Sequence, residues 1–159
     1  MKISDVPQPS LSYEDLEEGF KWTTPSRTIT ESEIHSFAGL SGDYNQIHVD
    51  DLYAGKSVFK SKVAHGLLVL SILSGLLTRT MQNQLMSKNL IGLLNVECSF
   101  PKPTFAGDTI YGEIEIASKR ITSKGDKGIV TFKRRALNQR NEVVVDSTFT
   151  MMIALGHLS

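Results

Sequence analysis

The chain has 159 residues, 40% hydrophobic and 21% charged, the balance of one folded domain and not of a disordered or fibrous chain. Seventeen basic residues offset seventeen acidic ones, which removes the net field expected of a binder of nucleic acid or anionic membranes. A single cysteine, Cys98, excludes an intrachain disulfide or a multi-cysteine zinc site; with no apolar h-region in the first ten residues, the chain is expected in the reducing cytoplasm.

Residues 1–15, with Pro7, Pro9 and acidic Glu14 and Asp15, read as a loosely structured lead-in, and Phe20 to Arg27 begins the fold. Thr30-x-x-Glu33 is a capping box that predicts a helix from Glu31 to about Leu40, with Ile34, Phe37, Ala38 and Leu40 inward and Gly42 as its stop. Asp43 to His48 reads as a loop and Asp50 to Ala54 as a helical turn. Gly66 opens an apolar helix ending near Met81. Its longest apolar run, Leu67 to Leu77, is too short for the about twenty residues of a membrane span and suits a helix buried on nearly every side.

Beyond that helix the period changes to two. Val96, Cys98 and Phe100 alternate with polar neighbours in a half-buried strand that Pro101 and Pro103 stop. Ile110, Gly112, Ile114 and Ile116 share one face of the next, and strands over Ile129 to Leu137 and Glu142 to Ala154 follow, joined by short turns that require antiparallel neighbours. One apolar helix and a long antiparallel meander each need the other's apolar face. The expected architecture is α+β, a single hot-dog domain with the sheet wrapped around the central helix.

Asp43 and His48 stand five apart, a spacing that would turn them about 140° from each other on a helix, so a loop must bring them together. A carboxylate beside an imidazole is suited to taking a proton from water; the same pair can also be a turn residue and a satisfied polar group. Gly66 starts the apolar helix, where free amides and the positive dipole end favour developing negative charge. The four histidines show no metal-ligand spacing, so no metal is expected. Eight of the seventeen basic residues fall between Lys119 and Arg140 beside one acid, Asp126, which reads as a solvated hairpin end or a phosphate-contacting surface.

Phe37-Ala38-x-x-Ser41-Gly42-Asp43-x-Asn45-x-x-His48-x-Asp50, then Ala64-His65-Gly66, then Phe100-Pro101-x-Pro103 with Gly107-Asp108, resemble the MaoC-like family, which includes the (R)-specific enoyl-CoA hydratases. The resemblance spans roughly Leu16 to Ile153. It implies reversible hydration of a trans-2-enoyl thioester, with His48 as general base, Asp43 orienting the water and helping to return a proton, and the Gly66 amide polarising the carbonyl. Asn45 would support the loop and line the site, His65 would brace the helix start beside the oxyanion donor, and Ser71 or Ser74 could add a polar contact, so that Gly66, Asn45, His65 and Ser71 form the expected oxyanion and substrate-binding set. It further implies an acyl-CoA or acyl-carrier-protein substrate, no cofactor, and at least a homodimer. A hot-dog thioesterase, a carrier-protein dehydratase docking its acidic partner on the basic stretch, and a non-catalytic acyl-binding subunit are the rival readings. The sequence departs from the family's pattern at Gln46, where proline is common, and at Ser61-Lys62, where Arg-Pro is frequent; Lys60 and Lys62 could meet phosphate.

Overall fold

The period-two segments become the long strands of one antiparallel sheet. The computed structural model describes residues 9–156, in which β1 (Lys21–Thr23), β2 (Arg27–Thr28), β3 (Leu90–Ser99), β4 (Thr109–Ile121), β5 (Lys127–Leu137) and β6 (Val143–Ala154) run in the order β1-β4-β5-β6-β3, with β2 also on β4. Ile110, Ile114 and Ile116 of β4, Val130, Phe132 and Ala136 of β5, and Val145, Phe149 and Ile153 of β6 are buried on the inner face. Against that face lies α4 (Gly66–Leu77), burying Leu68, Val69, Ile72, Leu73, Leu76 and Leu77. The remaining helices are α1 (Glu31–Ser41), α2 (Gln46–Val49), α3 (Asp51–Lys56) and α5 (Met81–Met86).

Several boundaries differ from expectation, each for a local reason. The central helix stops at Leu77 and not near Met81, because the Thr78 and Thr80 hydroxyls donate to the Gly75 and Leu77 carbonyls and Thr80 then accepts the Asn83 amide, starting α5. Nor is it buried all round: Leu67 is 60% exposed, and Ser71 and Gly75 continue the open stripe. Strand β3 begins at Leu90, five residues before Asn95, since register shifts at Leu90/Gly92 and Leu93/Asn95 break the alternation by which a strand is read. Leu40 is exposed, about 240° round α1 from buried Ile34. Within the expected lead-in, Tyr13–Asp15 forms a 3-10 turn closed by Ser12 and Asp15, with Tyr13 and Leu16 in the core; residues 1–8 lie outside the described residues. Among the described residues no helix is long and apolar enough to cross a membrane.

Candidate active site

Short polar side chains bonded to nearby backbone build the segment that carries Asp43 and His48. Thr30 accepts the Glu33 amide, and Glu33 accepts that of Thr30. Gly42 ends α1 at φ 78°, a conformation open to glycine, with its N–H donating to the Ala38 carbonyl. Ser41 Oγ then accepts the Asp43 amide, Asp43 Oδ1 accepts the Asn45 amide, and Asn45 Oδ1 accepts the Ile47 amide. This last bond starts α2, so His48 sits on a one-turn helix where the sequence suggested a loop. Gln46 is the first residue of α2, a position whose amide has no intrahelical partner and that tolerates proline equally well.

Two proton acceptors face each other across this segment. His48 Nδ1 is 2.7 Å from the Val63 carbonyl. A carbonyl only accepts, so Nδ1 carries the hydrogen and Nε2 of the neutral ring carries the lone pair. Nε2 lies 4.0 Å from Asp43 Oδ2, too far for a direct bond. The side chains differ in setting: His48 is 13% exposed and Asp43 54%.

His65, the residue before α4, holds the pair from behind. Its Nε2 donates to the Asp43 backbone carbonyl at 3.0 Å. Its ring stacks on His48, centroids 3.7 Å apart and planes 26° apart, with Phe37 at 5.0 Å on its other contacts. Among the described residues, Nδ1 of His65 is buried without a partner. Asp43, His48 and His65 each bring one ligand-type atom within 4.8 Å of the others. A metal would have to lie in both imidazole planes at about 2.0–2.1 Å from nitrogen, and two nearly parallel rings stacked at 3.7 Å do not share such a point.

Gly66 follows directly as the first residue of α4, where the leading amides have no intrahelical acceptor. A side chain there would meet the Phe100 ring at 3.0 Å, so glycine lets Phe100 lie on the helix start. A cleft of about 350 Å³ opens beside it, lined by Phe59, Val63, Gly66, Val69, Phe100 and Thr104 among others. Asp43 and His48 do not line that cleft in the single chain. Ser71 is not brought to the pair; it is exposed and its hydroxyl donates to the Leu67 carbonyl at 2.7 Å.

The other residues that the sequence singles out take structural or surface positions. Lys62 is held by Glu31 and by Asp51 (3.1 Å), which raises its pKa, chiefly through the bond to Glu31; it is therefore an ion-paired brace and not a free phosphate contact. Of the basic stretch, Lys119 bonds the Tyr13 carbonyl, Lys127 pairs with Asp126, Arg135 with Glu113 and Arg140 with Glu142, Arg134 is buried, and Arg120, Lys124 and Lys133 are exposed, as on a solvated hairpin. His35 is on exposed α1 surface beside Glu31, and His157 lies outside the described residues. Sequence reasoning missed Val63, which acts through its carbonyl and so leaves no side-chain signal. It also missed Arg134, although that residue falls on the inward phase of Val130, Phe132 and Ala136.

The fold and this site define a hot-dog protein with a carboxylate and an imidazole facing each other at the foot of its central helix. The MaoC like domain matches residues 17–136, and the chain belongs to that family. It is 34% identical over 135 residues to the (R)-specific enoyl-CoA hydratase of Aeromonas caviae, covering 85% of this chain and 93% of that one. Against the enzyme of the same name from Rhodospirillum rubrum it is 32% identical over 141 residues, covering 89% and 90%. A solved monoamine oxidase regulatory protein from Archaeoglobus fulgius superposes with a TM-score of 0.87 at 30% identity, over 92% of this chain and 96% of that one. A Mycobacterium tuberculosis protein with a double hot-dog fold shares the architecture at 18% identity, TM-score 0.78, over 92% of this chain and 45% of its own.

Proposed function

We propose that this chain is a hydro-lyase that adds water reversibly across the double bond of a trans-2-enoyl-CoA, giving the (R)-3-hydroxyacyl-CoA. The observation that carries this is the pair of acceptors, His48 Nε2 and Asp43 Oδ2, 4.0 Å apart with the tautomer set by Val63. A water at about 2.8 Å from both would subtend about 90° between them, close to its own H–O–H angle, so each acceptor takes one of its hydrogens. The water oxygen then presents its lone pairs outward. As that oxygen bonds to C3 of the enoyl group, Nε2 takes a proton and the C2–C3 π electrons move to the thioester oxygen, stabilised by the Gly66 amide. Asp43 Oδ2 passes the other hydrogen of the added water to C2 as the thioester carbonyl re-forms, Nε2 returns its own proton to the new C3 oxygen, and both side chains end as they began.

Relatives named as enoyl-CoA hydratases along nine tenths of their length support a CoA thioester as substrate. The mechanism draws on no metal or redox cofactor, in keeping with the stacked imidazoles. We also assign a second copy to the open flank of the sheet, where β3 leaves Ile91, Leu93 and Leu94 exposed and α4 leaves Leu67 uncovered, an apolar area that suits burial between subunits. The deciding assay follows alkene absorbance and free thiol together on crotonyl-CoA. Loss of the alkene with an (R) product and no thiol is expected; thiol release at the rate of substrate loss would make the protein a thioesterase.

A further inference from the structure

His65 occupies a position whose ordinary duty its side chain does not perform. It is the N-cap of α4, where serine, threonine, aspartate or asparagine would accept a free amide of the first turn. Among the described residues the imidazole makes no such bond. The helix start is held by backbone instead, the Val69 N–H donating to the His65 carbonyl at 3.2 Å. Nor does the ring reach the cleft beside Gly66, which Val63, Ala64 and Gly66 line and His65 does not. The side chain is turned the other way, 3% exposed, toward the Asp43 carbonyl and the His48 ring.

The hydrogen bonds define the charge of that ring. Nε2 donates to a carbonyl, so it carries a hydrogen. A second hydrogen on Nδ1 would bury a cation with an unpaired donor, since among the described residues nothing accepts from Nδ1. The ring is therefore neutral, with a free lone pair in its plane and a π face turned to His48. The centroids are 3.7 Å apart and the planes 26° apart, inside the about 6 Å over which a cation is attracted to an aromatic face. Phe37, 5.0 Å away and tilted by 58°, packs on His65 and limits its swing. Before reaction His48 is neutral too, and the stack offers ordinary contact. Once Nε2 has taken the proton of water, His48 is an imidazolium, and the same face attracts it with no solvent between the rings.

Resting on the hydration reading, we propose that His65 is a positioning residue that acts through His48, its neutral ring stabilising the imidazolium formed while the proton of water is held on Nε2. An interaction that exists only while the charge exists lowers the barrier without tightening substrate binding. The effect therefore falls on kcat. It depends on an aromatic face and not on the N–H that reaches Asp43.

The test separates the face from the N–H. His65→Gln keeps a donor and loses the ring, whereas His65→Phe keeps a ring and loses the donor. With crotonyl-CoA, kcat of His65→Gln should fall about 5- to 30-fold, with KM within about twofold of native. His65→Phe should keep kcat within about threefold of native. In a His48→Ala background, His65→Gln should lower kcat no further, a result that lost packing alone would not give. Native kcat in His65→Gln, or a His65→Phe slower than His65→Gln, overturns the proposal and leaves hydration standing. Ring-nitrogen magnetic resonance of the native protein needs no variant: His65 should carry a hydrogen on Nε2 alone at the pH of the assay. Hydrogens on both nitrogens overturn the proposal even where a variant does not fold. A native protein that hydrates no enoyl-CoA fails the hydration reading, and this proposal falls with it.

Discussion

If His48 Nε2 and Asp43 Oδ2 hold one water between them, removing either should cost nearly as much as removing both. Asp43→Asn puts an amide where the carboxylate was; its N–H can close on the Nε2 lone pair across the 4.0 Å gap and displace the water. His48→Ala deletes the base and its bond to Val63. General-base catalysis contributes roughly 10²–10⁴ in rate, about 3–5 kcal/mol, so each single variant should fall by that factor in kcat. Independent sites would multiply to about 10⁴–10⁸ in the double variant. A shared water predicts a double variant no slower than the slower single, a coupling of at least about 3 kcal/mol. The measurement is alkene loss from crotonyl-CoA at saturating substrate, with enzyme raised until the slowest variant is above background. Multiplicative losses, or Asp43→Asn within a few-fold of native, would refute the single-water geometry.

Two predictions concern stability. A side-chain carbon at Gly128 would lie 2.1 Å from the Tyr13 ring, so Gly128→Ala must expel Tyr13 from the core and from its contacts with Lys119. The expected loss is about 1–3 kcal/mol, read as a Tm lower by about 2–4 °C per kcal/mol, and an unchanged Tm would show that the N-terminal turn adds nothing. Glu142 has its pKa lowered from 4.5 to about 2 by hydrogen bonds from Asn138 first and Arg140 second. A depressed folded pKa gives stability present above about pH 4.5 and lost as the pH falls toward 2. The Tm difference between the native protein and Glu142→Gln should therefore be positive at pH 6 and close between pH 4.5 and 2; a constant difference would remove the linkage.

What the sequence made legible followed simple periodicities. The capping box at Thr30, the left-handed Gly42 and the alternation of β4 as far as Ile116 are local rules with no competitor, and the structure follows them. Strand β3 escaped because two register shifts hide its period, and the end of α4 escaped because threonine hydroxyls, not a proline or glycine, terminate it. At the site, Asp43, His48, His65 and Gly66 could be named from motifs, but not the tautomer. That depends on a backbone carbonyl fifteen residues away from His48, and a carbonyl has no letter in the sequence. Ser71 was named on helical proximity alone, and its bond to the Leu67 carbonyl shows why proximity does not suffice for a hydroxyl on a helix.

The four consecutive residues from Val63 to Gly66 behave as a gauge block. The first fixes the proton on His48, the second is pinned to Thr104 by its amide, the third carries the Asp43 carbonyl and the stacked ring, and the fourth offers the helix-start amide. On the proposed mechanism, base, acid and carbonyl-binding donor are thus set against one ruler a few ångströms long. A shift of that segment would carry all three together and preserve their spacing, whereas a single inserted residue would uncouple every one of them at once. If the proposed mechanism holds, the length of this segment is part of the reaction's geometry.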